Sequence, residues 1–193
     1  MNWLSHLFLS EPNPAFRIGN LLPDLAPMSA LSGLPTEFLR GIRQHRQIDA
    51  FTDSHAIFRR SISRVGPEFR RYGGILVDIF YDHFLTVEWP RLCAVPLEPF
   101  TEEVYSSFET HRHEIPAEAY EHLERMKSGN WLCAYGDLDG VALTLNRISQ
   151  RLRKPVPLEN AVSVFRSDYA GFRDDFAAFF PELVSHVQTR NEL

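Results

Sequence analysis

GILVDIFYDHFLTVEW, residues Gly74–Trp89, is apolar or aromatic at nearly every position, yet it carries Asp78, Asp82 and His83 near its centre. Read as a helix, it sets the two acids, four residues apart, on one face and one turn above each other. The β-branched character of Ile75 to Phe80 would also suit a short buried strand; the i, i+4 acids and the helical segments on either side decide for helix. A helix that is hydrophobic on almost every side is buried. A buried carboxylate without a partner costs several kcal/mol, roughly, even after its surroundings relax. These acids therefore call for a shared cation, the plainer alternative being that both lie on a wet edge.

Working outward, the preceding segment TEFLRGIRQHRQIDAFTD, Thr36 to Asp53, reads as a long helix. Thr36 is placed to cap it, Phe38, Leu39, Ile42, Ile48 and Phe51 form its apolar side, and Gly41 is a tolerated weak point. His45, Asp49 and Asp53 follow at i, i+4 and i+8, one polar stripe drifting by about 80° around the axis. Phe58 to Val65 continues as helix until Gly66-Pro67. At the start of the chain, Trp3, Leu4, Leu7 and Phe8 recur at helical spacing within Met1 to Ser10, with Asn2 as the cap and His6 among apolar neighbours. A second short helix covers Ala15 to Leu22, Pro23 limits it, and Asp24 falls at its end or in the loop that runs to Pro35. Beyond the central stretch, Pro90, Pro96 and Pro99 imply an irregular crossing. Helices follow at Thr101 to His113, Pro116 to Ser128 and Leu138 to Arg153, the last capped by Asp137 or Asp139. The aromatic stripe of Glu159 to Val187 reads as core. The expected fold is an all-α, single-domain helical bundle.

At 193 residues and 44% hydrophobic content the chain can bury a sizeable core. No apolar run reaches the roughly 18 to 20 residues that cross a bilayer, and no basic residue precedes the apolar N-terminal segment, so neither a membrane partner nor a secretory leader is expected. Cys93 and Cys133, 40 residues apart, suit a reducing cytoplasm and argue against a thiolate metal site. Eight of 18 arginines lie between Arg40 and Arg71 against three acids, leaving that segment five positive in a chain of net charge −5. Such a chain is a poor general binder of nucleic acid, while a local arginine surface can meet a phosphate or an acidic protein.

No phosphate-binding glycine loop, GxSxG elbow or HExxH occurs. What remains is a scatter of histidines and acids over separate helices: His6, Asp24, His45, Asp49, Asp53, Asp78, Asp82 and His83. Carboxylates mixed with imidazole suit Mn²⁺, Mg²⁺ or Fe²⁺, and imidazole also admits Zn²⁺. Helical bundles build metal sites this way, from inward side chains on facing helices.

Four blocks taken together, MNWLSHLFLS at the start, GNLLPD at Gly19 to Asp24, GIRQHRQIDAFTD at Gly41 to Asp53 and VDIFYDHFL at Val77 to Leu85, resemble the acyl carrier protein phosphodiesterase family. That family is regarded as a divergent, HD-domain-like branch of the metal-dependent phosphohydrolases. In place of an adjacent His-Asp pair, this chain has His45 one turn before Asp49 and the reversed order Asp82-His83. The resemblance implies hydrolysis of the phosphodiester of holo-acyl carrier protein, a small acidic helical protein, to give the apo-protein and free 4′-phosphopantetheine. The metal set expected from these residues is Asp24, His45, Asp49, Asp78 and Asp82, with Mn²⁺ the expected ion and Mg²⁺ or Fe²⁺ as alternatives. His6 and His83 become supporting groups or proton donors to the leaving oxygen. Arg43 and Arg46 would reach the phosphate, and Arg59, Arg60 and Arg64 the acidic partner. Asp53 is read as a helix-end acid. Two other readings stay open: a phosphohydrolase of small nucleotides or phosphomonoesters, and a non-catalytic helical module that binds an acidic protein. The geometric expectation is that Asp78 shares a metal with His45 and Asp24 from one of the most buried helices.

Overall fold

In the computed structural model, residues 1–191 are described, and they run as α1 (Trp3–Phe8), α2 (Pro14–Gly19), α3 (Leu22–Leu25), α4 (Thr36–Ser54), α5 (Ala56–Arg64), α6 (Gly73–Leu92), α7 (Leu97–Thr110), α8 (Ala117–Ser128), α9 (Leu138–Ser149), α10 (Ala161–Ser167) and α11 (Tyr169–Asn191). Short 3-10 turns join several of these, and no strand occurs among the described residues. The fold is all-α, with one continuous hydrophobic core.

The acid-bearing stretch is a single helix, α6, and 11 of its 20 residues are buried. It runs past Pro90, which stands in the last turn and costs the helix the one bond its N–H would make to the carbonyl of Thr86. Around it pack α1, α5, α9 and α11. The aromatic stripe of the C-terminal segment forms the opposite wall: Phe165 stacks on Phe80 with centroids 4.0 Å apart, and Phe172 meets the same ring edge-on. Asp168, outside helical geometry, divides this wall into α10 and α11.

Helix boundaries depart from the sequence reading where a side chain outcompetes the backbone or a crossing forces close approach. His55 adopts extended backbone and accepts from the Ile57 N–H through Nδ1, so α4 and α5 are separate helices. Asp137, rather than Asp139, caps α9 by accepting from the Gly140 N–H at 2.7 Å. Pro35, not Thr36, occupies the N-cap position of α4. Gly41 is more than a tolerated weak point. A Cβ there would collide with the Phe16 carbonyl oxygen, and one on Gly19 with that of Phe38, so both glycines are required where α2 crosses α4. That crossing positions Asn20, the C-cap residue of α2, against the His45 side of α4.

Candidate metal centre

Asn20 organises the site. Its side-chain amide donates to His6 O, Ser10 Oγ and Gln44 Oε1, which fixes its Oδ1 toward His6 Nδ1 at 3.1 Å. Its backbone carbonyl lies 2.8 Å from His45 Nδ1. Both contacts are acceptors, so one residue sets both imidazoles to carry their proton on Nδ1 and to present Nε2 inward. The two rings stack at 4.1 Å, nearly parallel.

The inward nitrogens meet further electron-pair donors. His6 Nε2 faces Met1 O at 3.1 Å and Asp49 Oδ1 at 3.3 Å. His45 Nε2 faces Asp49 Oδ2 at 3.0 Å and Asp24 Oδ1 at 3.7 Å. The ligand atoms of His6, His45 and Asp49 lie within 4.8 Å of one another. With the Nδ1 protons committed, these converging lone pairs need a positive charge. A proton on His45 answers it in part: although burial opposes the charge, the Asp49 hydrogen bond and the Asp24 charge raise its pKa. Burial lowers that of His6 and keeps it neutral, the form that ligates. Burial works on Asp49 in the opposite sense, yet His45, His6 and the Met1 ammonium hold it far below the ordinary carboxylate range.

Asp78 enters from α6 through the Met1 ammonium, which is 3.1 Å from its Oδ1 and 3.2 Å from Asp49 Oδ1. A quarter of the Asp78 side chain is exposed, but Oδ1 is shut off from solvent and has no aligned hydrogen-bond donor among the described residues. Burial pushes this carboxyl up to about 6 against the ammonium's opposing pull. Two imidazoles with fixed tautomers, Asp49 between them and two flanking carboxylates make a donor set suited to a hard or borderline divalent cation. His6 thus stands in the cluster itself, closer to it than the supporting place expected from sequence.

The structure does not bring every predicted residue here. Asp82 is fully buried and accepts from Leu4 N–H at 2.9 Å, Ser5 N–H at 3.0 Å, Asn2 Nδ2 at 2.8 Å and the Ser5 hydroxyl. Both of its oxygens are spent on the first turn of α1, replacing the side-chain cap expected from Asn2, which turns instead to Asp82 and Tyr135. His83 points to the opposite side of α6, within 2.7 Å of Tyr135 O and 2.9 Å of Tyr169 Oη. Arg60 and Arg64 clamp the buried Asp175 of α11, with Arg64 also on Asp168, so α5 spends these charges on its own packing. Arg59 donates to Asp53 O, and Asp53 is the exposed acid near the end of α4. Arg43 and Arg46 are exposed on α4, and Arg46 reaches Met28 Sδ in the turn that follows Asp24. Asn20 is the functional residue that sequence reasoning passed over, although it stands inside the GNLLPD block.

These observations define an all-α protein with a histidine–carboxylate centre built between its N-terminal helix, α4 and α6. The family model of acyl carrier protein phosphodiesterase matches residues 1–183, and the chain belongs to that family. It is 28% identical to the acyl carrier protein phosphodiesterase of Photorhabdus laumondii over 99% of this chain and 97% of that one. It is 29% identical to that of Pectobacterium atrosepticum over 98% and 99%, and 28% identical to that of Yersinia pestis over 97% and 98%. No solved structure gives a significant match, and none supports the HD-domain likeness expected from the resemblance. No described helix is long and apolar enough to cross a membrane.

Proposed function

We propose that this chain hydrolyses the phosphodiester of holo-acyl carrier protein, releasing 4′-phosphopantetheine and the apo-protein, with a divalent cation, Mn²⁺ in first place and Mg²⁺ or Fe²⁺ as alternatives. The observation that carries the metal is the convergence of one ligand atom each from His6, His45 and Asp49 to within 4.8 Å of one another, where His6 Nε2 faces only the acceptors Met1 O and Asp49 Oδ1. The family membership, spanning nearly the whole chain, carries the reaction. His6, His45 and Asp49 hold the cation, flanked by Asp24 and Asp78. When bound, such an ion supplies Lewis acidity toward a phosphoryl oxygen and makes water a nucleophile near neutral pH.

The chain's own groups do the rest. Asn20 keeps both imidazoles aimed inward. Arg46, one turn before Asp49 at the Asp24 side of the cluster, is placed to receive the phosphate's negative charge, with Arg43 further along the same exposed face. His83 has no part in this reading, since both its ring nitrogens are engaged elsewhere. The test is incubation of Mn²⁺-supplemented protein with holo-acyl carrier protein, followed by mass measurement of the carrier. Loss of the phosphopantetheine mass is expected; an unchanged carrier mass refutes the activity.

A further inference from the structure

The arginines that sequence reading assigned to an acidic partner are largely consumed inside the fold, whereas a second basic segment is not. Between Arg125 and Lys154 there are six cations, Arg125, Lys127, Arg147, Arg151, Arg153 and Lys154, against Asp137 and Asp139, which leaves the segment four positive. Among the described residues no carboxylate comes within ion-pair reach of Arg125, Arg147 or Arg151. Arg147 and Arg151 instead lie over the Trp131 ring, at 4.8 and 5.8 Å from its centroid, and Trp3 stacks on the same ring at 5.9 Å. Burial and the charges of Arg125 and Arg147 push the Arg151 guanidinium down.

The arrangement encloses a hollow of about 60 Å³, walled by Asn2, Trp3, Trp131, Tyr135, Arg147 and Arg151. It is joined to the candidate metal centre through the chain: Asn2, in its wall, follows Met1, whose ammonium touches Asp49 and Asp78. Like charges gathered on an aromatic floor, with no acid lining the hollow among the described residues, are matched by an incoming anion. Tryptophan and arginine at the edge of a pocket are also the side chains most often found to dominate protein–protein affinity.

We infer that Trp131 with Arg147 and Arg151 is the docking contact for the acidic surface of the carrier protein, the hollow receiving one side-chain carboxylate while Arg125 and Arg153 meet those around it. This rests on the carrier-protein reading above. It moves recognition of the protein substrate from α5 to the surface formed by α9 and the 131–136 turn, separate from the diester-cleaving centre.

Apo-acyl carrier protein is the probe, because it keeps the acidic surface and lacks the diester. Calorimetric titration of the full chain should show R147E/R151E binding it at least tenfold more weakly than wild type, with R147Q/R151Q in between. Wild-type affinity should fall as salt rises from about 50 to 300 mM, within which surface charges become strongly screened, and the Glu variant's should not. Circular dichroism establishes that both variants fold. Affinity within twofold among all three proteins, or no binding by wild type, overturns the inference. Binding that depends on these arginines without release of phosphopantetheine sinks the proposed activity and leaves the surface standing; release with unchanged binding in the variants sinks the surface alone.

Discussion

Replacing Asp82 by Ala separates its two readings, metal ligand and anchor of α1. In the structure the carboxylate is the sole acceptor shown for the Leu4 and Ser5 N–H groups, and Leu4, Ser5 and Asp82 are all fully buried. Without it two backbone donors are orphaned, each costing about 1–3 kcal/mol, and a charge-assisted bond from Asn2 is lost as well. Asn2 keeps Tyr135, and the Ser5 hydroxyl can rotate, so a total of about 4 kcal/mol is the expectation. With a urea slope of about 2 kcal/mol/M, the unfolding midpoint should fall by about 2 M. Ser5→Ala, which removes a single donor to the same carboxylate, should cost about 1 kcal/mol. The assay is urea unfolding followed by circular dichroism, paired with Mn²⁺ titration of the folded variant in the cold. An unshifted midpoint together with loss of Mn²⁺ binding would refute the anchor and return Asp82 to the metal set.

Asp49→Asn should weaken Mn²⁺ binding at least tenfold by calorimetry, because it removes the carboxylate that both imidazoles face. Gly41→Ala should lower stability by about 1–3 kcal/mol through overpacking against Phe16 and the backbone at Asn20, and Mn²⁺ affinity should drop with it as the imidazoles lose their alignment. Asp175→Asn should cost about 2–4 kcal/mol at pH 7, a buried partner being removed from two arginines of which Arg60 is half-exposed. Burial alone would raise the Asp175 pKa, but Arg64, Arg60 and Ser61 hold it below the unfolded value near 3.8. Its contribution is therefore fully present above that pH and lost as pH falls through the lower folded pKa, so the gap between wild type and variant in urea unfolding should shrink below pH 3.8.

How much was legible follows from the kind of signal each residue carries. The Gly74–Trp89 run declared a buried helix because its apolar residues cover every side, and α6 is one. His45 and Asp49 were legible as a pair because i, i+4 places them on one face whatever the surroundings, and they meet at 3.0 Å. Asp78 and Asp82 obey the same spacing but part company: the 70-odd residues that separate them from α1 in sequence say nothing about which acid will face two backbone N–H groups. The arginines show the same limit. Arg60 and Arg64 look like surface charge until α11 brings Asp175 against them.

By itself the sequence determined the all-α architecture, the core-facing aromatic stripe and the family, since helical periodicity and short motifs are local properties of the chain. Tertiary structure alone decided which side chains come together at the candidate site. It turned His6 inward through Asn20, gave Asp82 to the cap of α1 and His83 to the far side of α6, and laid Arg147 and Arg151 over Trp131 with no carboxylate partner among the described residues. The physical reason is that a buried polar group is defined by its partner, and these partners arrive from other parts of the chain, Leu4 from α1, Asn20 from the end of α2 and Tyr135 from the 131–136 turn.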